Sequence, residues 1–192
     1  MSLLFNESGN STLTLPKHTV EYFLDYACPY SAKLFATFLS FQRSNFVKDK
    51  NVNFIFRHQV QPWHTQSQLL HEVALAVQKV DPTKFFHFSE LLFKQQENFF
   101  DVNVWDKTRT EIYNELLVIV ESIGVDKSKV SEYLKLSRDG KNAGNGVTND
   151  LKKTIKYSRQ NSIHVSPTVV FNGLIDNNTS SSWSQDGDIN QK

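Results

Sequence analysis

One apolar run that passes directly into a helix signal constrains this chain most. Thr19-Val-Glu-Tyr-Phe-Leu-Asp-Tyr26 is rich in β-branched and aromatic residues and reads as a largely buried strand. It leads straight into Cys28-Pro29-Tyr30-Ser31. Pro29 suits the first turn of a helix, where its missing N–H has no partner to lose. Leu34, Phe35, Phe38, Leu39 and Phe41 then recur at helical spacing and predict a helix over 29–44. Val52-Asn-Phe-Ile-Phe-Arg-His-Gln-Val60 follows as a second strand. Two strands joined by one helix predict a βαβ unit with parallel strands and a right-handed crossover.

The middle of the chain changes period. Thr65-x-x-Gln68 has the pattern of a capping box ahead of Leu69, Leu70, Val73, Ala76, Val77 and Val80. Asp81-Pro82 opens another helix, carrying Phe85, Phe88, Leu91 and Leu92. Thr108-x-x-Glu111 repeats the capping pattern, and Ile112, Leu116, Ile119 and Ile123 form one face that ends at Gly124. A shorter helix is expected over Ser128–Leu136, so residues 65–137 read as an all-helical block. Lys141–Gly146 reads as a loop leading to a helix over Thr148–Gln160. The chain then returns to β at Val165-Ser-Pro-Thr-Val-Val-Phe-Asn-Gly173, closed by an Asn-Gly turn.

A chain of 192 residues can bury a real core without staples. Its single cysteine excludes an intramolecular disulfide and a zinc site of several thiolates. With 21 Lys+Arg against 20 Asp+Glu there is no global basic field to hold nucleic acid. No apolar run approaches the roughly 20 residues of a membrane helix, so no membrane partner is expected. Met1-Ser-Leu-Leu-Phe5 lacks a basic leader, no signal peptide is read there, and a cytoplasmic location is the expectation. The Asn-x-Ser/Thr patterns at Asn6, Asn10, Asn177 and Asn178 then count as chance features of polar ends.

Cys28 lies where a strand meets a helix, and unpaired N–H groups with the helix dipole favour an anion there. That placement makes a sulfur nucleophilic. Ser31 follows one helical turn later, with a hydroxyl able to bond the sulfur but unable to form a disulfide. The junction alone is equally compatible with a buried, inert cysteine.

Asp25-Tyr-Ala-Cys-Pro-Tyr-Ser31 after a strand, a long helical insertion, and the late Val165-Ser-Pro-Thr-Val-Val-Phe-Asn-Gly173 together resemble the DsbA-like thioredoxin-fold family over roughly residues 13–183. The resemblance implies an α/β thioredoxin-like fold, a mixed sheet flanked by helices. The core would comprise 13–64 plus 138–183, the insertion 65–137, and flexible tails 1–12 and 184–192. It further implies that Pro167 is the family's cis-proline beside the sulfur, with the Ser166, Pro167 and Thr168 backbone open to an extended substrate. Pro29 and Tyr30 would shape the same pocket.

Several positions depart from that family. Its usual Cys-x-x-Cys ends here in Ser31, so no resolving thiol is present. The acidic residue that often sits near the sulfur falls at Tyr22, and Glu21, one place off, points to the opposite face. The segment after Ser182-Trp183 has little apolar face for a last helix. Cys-x-x-Ser is also similar to monothiol glutaredoxins, and kappa-class glutathione transferases carry Ser-Pro-Tyr-Ser at this place. The expected function is a monothiol thiol-disulfide oxidoreductase or glutathione-linked enzyme, with Cys28 as nucleophile and Ser31 polarising the sulfur. Glutathione is the expected co-substrate, with no bound cofactor, and glutathione or protein thiols and disulfides are the expected partners. An inactive thioredoxin-fold binding protein and a kappa-class-like transferase or isomerase are the alternatives.

Arg57-His-Gln-Val-Gln-Pro-Trp-His64 closes the second strand on the edge that carries Cys28. Gln61, Trp63 and His64 are therefore expected to rim the sulfur, Trp63 as an apolar wall and His64 as a proton donor or thiolate partner. A loop in which Trp63 only caps the core fits as well. His64 and His71 with Glu72 match no ligand spacing, no metal is expected, and they read as a solvated helix face. His87, among Phe85, Phe86 and Phe88, reads as a packed helix residue.

Overall fold

A computed structural model describes residues 3–4, 18–43, 52–138 and 140–178. Five strands form one sheet: β1 (Leu3–Leu4), β2 (His18–Leu24), β3 (Val52–His58), β4 (Thr168–Phe171) and β5 (Leu174–Asp176), in the order β1-β3-β2-β4-β5. β2 and β3 run parallel, from His18 opposite Val52 to Leu24 opposite His58, with α1 (Pro29–Arg43) as the crossover. β4 lies antiparallel to β2, and β1 antiparallel to β3, so the sheet is mixed. Leu3–Leu4 is thus paired backbone within a segment expected to be a flexible tail. Asn6, Asn10, Ser182, Trp183 and the 184–192 tail lie outside the described residues.

Alternation along β2 sorts its side chains between two faces. Tyr22 meets Phe38 of α1 at 5.0 Å between ring centroids, while Phe23 stacks on Tyr157 of the helix on the other side. That helix, α7 (Thr148–Gln160), has the expected bounds. β4 starts at Thr168, three residues later than expected, because Val165–Pro167 form a bend and the Ser166–Pro167 bond is cis. Asn172 and Gly173 take φ of 49° and 87°, the backbone that a two-residue hairpin turn needs, and return the chain into β5.

Between β3 and α7 lie α2 (Ser67–Val80), a 3-10 turn at Pro82–Lys84, α3 (Phe85–Lys94), a second 3-10 turn at Gln96–Phe99, α4 (Asp101–Val104), α5 (Arg109–Ser122) and α6 (Lys127–Leu134). Thr108 and Glu111 form the reciprocal capping box expected of them. Thr65 and Gln68 do not: α2 starts after Gln66, Thr65 Oγ1 donates to Gln66 Oε1, and Gln68 Nε2 donates to Glu72. Asp126 accepts from Ser128 and Lys129 N–H, which sets the start of α6 at Lys127.

One apolar cluster runs through sheet and insertion alike, joining Leu24, Phe35 and Phe56 to Leu70, Phe85, Leu116 and Val130. Phe35 meets Phe93 at 4.8 Å and Phe56 meets Phe85 at 5.3 Å. Each such ring contributes roughly 1.5–3 kcal/mol when buried, so neither part keeps its core without the other. Thermal unfolding is therefore expected to give a single transition. Two separated transitions in calorimetry, with 65–137 stable as a fragment, would contradict this.

Candidate active site

Asp25 turns the chain at the end of β2. Its Oδ1 accepts the Ala27 N–H at 2.9 Å, and its own N–H donates to Ser31 Oγ at 3.2 Å. Cys28 N–H donates back to the Asp25 carbonyl at 3.1 Å, and the Cys28 carbonyl accepts from Ala32 N–H at 3.2 Å. Cys28 is therefore the N-cap residue of α1, and its sulfur stands at the positive end of a 15-residue helix. Cys28 Sγ donates to the Ser166 carbonyl at 3.5 Å, just before the cis bond to Pro167. Thr168 Oγ1 donates to the Val165 carbonyl at 2.7 Å and braces that bend.

The structure thus brings Cys28 and Ser166 into contact, with Pro167 on the same bend and Thr168 opening β4 directly after it. Ser31 is fully buried, and its Oγ accepts from the Asp25 amide. Pro29 is exposed, Tyr30 is 60% exposed and Trp63 58% exposed. Cys28 itself is only 5% exposed.

The principal element left unassigned by sequence reasoning is the Asp25 carboxylate, which is wholly buried and accepts four bonds. Besides Ala27, Oδ1 accepts from Ser67 Oγ at 2.7 Å, and Oδ2 accepts from Gln61 N–H at 3.0 Å and from His64 Nδ1 at 2.9 Å. An ionised carboxylate only accepts, so Nδ1 of His64 carries the proton. His71 Nε2 lies 3.6 Å from Oδ1, too long for a hydrogen bond, and acts on Asp25 electrostatically. Burial pushes the Asp25 carboxyl up, but His71, the His64 bond and the Ala27 N–H together outweigh it and hold the group at about 2. His64 is therefore fastened to the loop that presents Cys28, through Asp25.

Behind Asp25 the network continues inward. His71 Nδ1 and His58 Nδ1 share a hydrogen bond of 2.7 Å, and burial first, then His71, drives His58 well below the ordinary imidazole range. His71 and Glu72 are buried, so the solvated face expected for them is wrong. Glu72 is held instead by Arg109 at 2.6 Å and by the Tyr113 hydroxyl, an ion pair that ties α2 to α5. His87 is exposed, not packed. Among the described residues no cluster of three or more His, Cys, Asp or Glu could hold a metal ion.

Gln96, from the insertion, donates through Nε2 to the Tyr26 carbonyl at 2.9 Å and the Cys28 carbonyl at 3.3 Å. The helical block thereby clamps the loop before α1, a role with no local sequence signal. On the other face of β2, Glu21 pairs with Arg57 at 2.5 Å and accepts from the Tyr157 hydroxyl at 3.2 Å, which occupies it away from the sulfur.

The fold is similar to that of several solved structures. A candidate protein-disulfide isomerase from Pseudomonas syringae superposes with a TM-score of 0.69 at 25% identity, covering 88% of this chain and 89% of the other. Oxidised BdbD from Bacillus subtilis gives 0.65 at 24% identity, with 87% and 82% covered. MdbA, a thiol-disulfide oxidoreductase from Corynebacterium diphtheriae, gives 0.63 at 19% identity, with 89% and 84% covered. No curated protein matches by sequence. No helix among the described residues is long and apolar enough to cross a membrane. A family model described as thioredoxin matches residues 15–185, which span β2 through β5 with the Cys28 loop and the Pro167 bend, and the chain belongs to that family.

Proposed function

We propose that the protein is a monothiol thiol-disulfide exchange protein in which Cys28 is the nucleophile and glutathione the second thiol. The observation that carries this reading is the position of Cys28 at the N-cap of α1, with Sγ against the Ser166 carbonyl. In exchange, the Cys28 thiolate attacks one sulfur of a disulfide and a new S–S bond forms. The other sulfur leaves as thiolate with the electron pair of the broken bond. Ser31 offers no thiol to expel the bound partner, so an external thiol must attack the mixed disulfide and regenerate Cys28. Reduced glutathione in a cytoplasmic setting fits that need, and no bound cofactor is required. Ser166 and Thr168 would present backbone to an extended partner, with Tyr30 and Trp63 as exposed apolar rims.

Incubation with oxidised glutathione should add one glutathionyl group per chain by mass spectrometry. Reduced glutathione should remove it, and Cys28→Ser should abolish the adduct. The 5% exposure of Cys28 favours a second reading, a binding protein without turnover. An unmodified Cys28 at pH 8 would put that reading first.

A further inference from the structure

We propose that the buried His58–His71 pair is a positioning device for Cys28: it aims a proton-bearing nitrogen of His71 at the Asp25 carboxylate and so offsets the negative charge that the sulfur meets across its own turn. The inference rests on the exchange reading above and gives a role to two residues which that reading leaves unused.

The geometry fixes where the protons sit. His71 of α2 is wholly buried and His58 of β3 nearly so. Their Nδ1 atoms stand 2.7 Å apart, and a hydrogen bond between two imidazole nitrogens holds one proton. The other nitrogen of His71, Nε2, is buried without a hydrogen-bond partner and lies 3.6 Å from Asp25 Oδ1. A bare Nε2 would set its lone pair against an ionised carboxylate, so Nε2 carries a proton. In the neutral pair His71 then accepts at Nδ1 and His58 donates. A further proton enters at the remaining bare nitrogen, Nε2 of His58, and the shared proton passes to His71. Burial and the charge of His71 drive His58 well below the ordinary imidazole range, which leaves that charge on His71. Either state turns an N–H toward Asp25.

Asp25 and Cys28 share one turn, with Cys28 N–H on the Asp25 carbonyl and Ala27 N–H on Oδ1. A carboxylate placed there opposes a thiolate, against the pull of the helix N-terminus. The other groups around the pair are already occupied. His64 bonds Oδ2, and Tyr26, whose ring lies 4.8 Å from His71, bonds Ser89 of α3 and stays neutral because burial raises its phenol. Glu72 turns to Arg109 and Tyr113 of α5. Since His71 supplies none of the four hydrogen bonds to Asp25, replacing it changes the charge and spares them.

The test titrates the full chain and reads the ultraviolet absorbance of the Cys28 thiolate, with Cys28→Ser subtracting the tyrosines. His71→Leu should raise the thiolate midpoint by at least about half a pH unit, about threefold less thiolate at a pH below it. His71→Gln, which keeps a donor at the place of Nε2, should recover at least half of that shift. With Asp25→Asn in the background, His71→Leu should move the midpoint by less than about 0.2 unit, because the two changes act on one interaction. Nitrogen-15 spectra of the unaltered protein should show a proton on Nε2 of His71, a reading that survives if His71→Leu fails to fold. A midpoint indifferent to His71→Leu, an equal shift with and without the Asp25 charge, or a bare Nε2 on His71 would each overturn the proposal. Thiolate titration needs no disulfide partner, so failure to take up glutathione would strike the exchange reading alone.

Discussion

Ser31→Cys should convert the protein from one that stops at a mixed disulfide into one that closes an internal disulfide with Cys28. Position 31 lies in the first turn of α1, one turn beyond the N-cap, and its Oγ faces the Asp25 amide at the base of the same loop. A thiol there would find its partner already held at the helix N-terminus by Gln96 and by the Asp25 turn. Attack by the new thiol on the mixed disulfide would release the bound partner as thiolate and leave the two cysteines oxidised, the step that Ser31 cannot perform. Turnover in an insulin-reduction assay should then rise at least about tenfold over the natural sequence, since an intramolecular thiol replaces a bimolecular one. Thiol counting after oxidation should fall from two to zero. Two free thiols that persist, with no gain in turnover, would mean that the loop does not present position 31 to the sulfur, and the exchange reading would lose its structural basis.

What the sequence disclosed follows from where the signal was local. The βαβ unit was legible because β-branched and aromatic residues, Pro29 and a 3.6-residue period each act over a few neighbours. The Asn172-Gly173 turn was legible for the same reason, since few residues adopt its backbone. The neighbouring strand β5 was not: it is three residues long, and Leu174 and Ile175 are both exposed, so no alternation marks it. The capping pattern at Thr108 formed while its equivalent at Thr65 did not. Gln66, whose Nε2 donates to the Phe99 carbonyl, is drawn into the interior by a residue 33 positions away, and the helix starts after it.

The site divides in the same way. Cys28 and the Ser166–Pro167 bend could be named because motif and order point to them. Asp25 stood inside the motif without a role, since its four donors come from Ala27, Gln61, His64 and Ser67, three of them far along the chain. His71 looked solvated because a helix with polar residues at that spacing usually turns them outward. It turns inward here because Asp25 and His58 wait there. Gln96 was invisible for a related reason: its two acceptors are backbone carbonyls about seventy residues upstream.

Asp25→Ala should be the most damaging single change in the molecule. The carboxylate satisfies the amides of Ala27 and Gln61, the Ser67 hydroxyl and His64 Nδ1, and removing it leaves those buried or half-buried donors without an acceptor. Breaking a buried charged network from one side costs on the order of 3–5 kcal/mol. Asp25→Asn keeps the volume and part of the acceptor capacity and should cost less. Its effect separates the charge from the bonds through the pH dependence. The folded-state carboxyl titrates at about 2, below the usual 3.8, so it stabilises the fold above the unfolded value and loses that contribution as pH falls through the folded one. The gap corresponds to roughly 2 kcal/mol, present at pH 5 and gone near pH 1. Denaturant titrations should therefore show the natural sequence losing its advantage over Asp25→Asn between about pH 4 and pH 2. The loop that carries Cys28 should loosen with it, so that alkylation of Cys28 quickens in Asp25→Asn at neutral pH while the overall fold persists. A stability gap that stays constant from pH 6 to about pH 2 would show that the Asp25 charge does not brace this site.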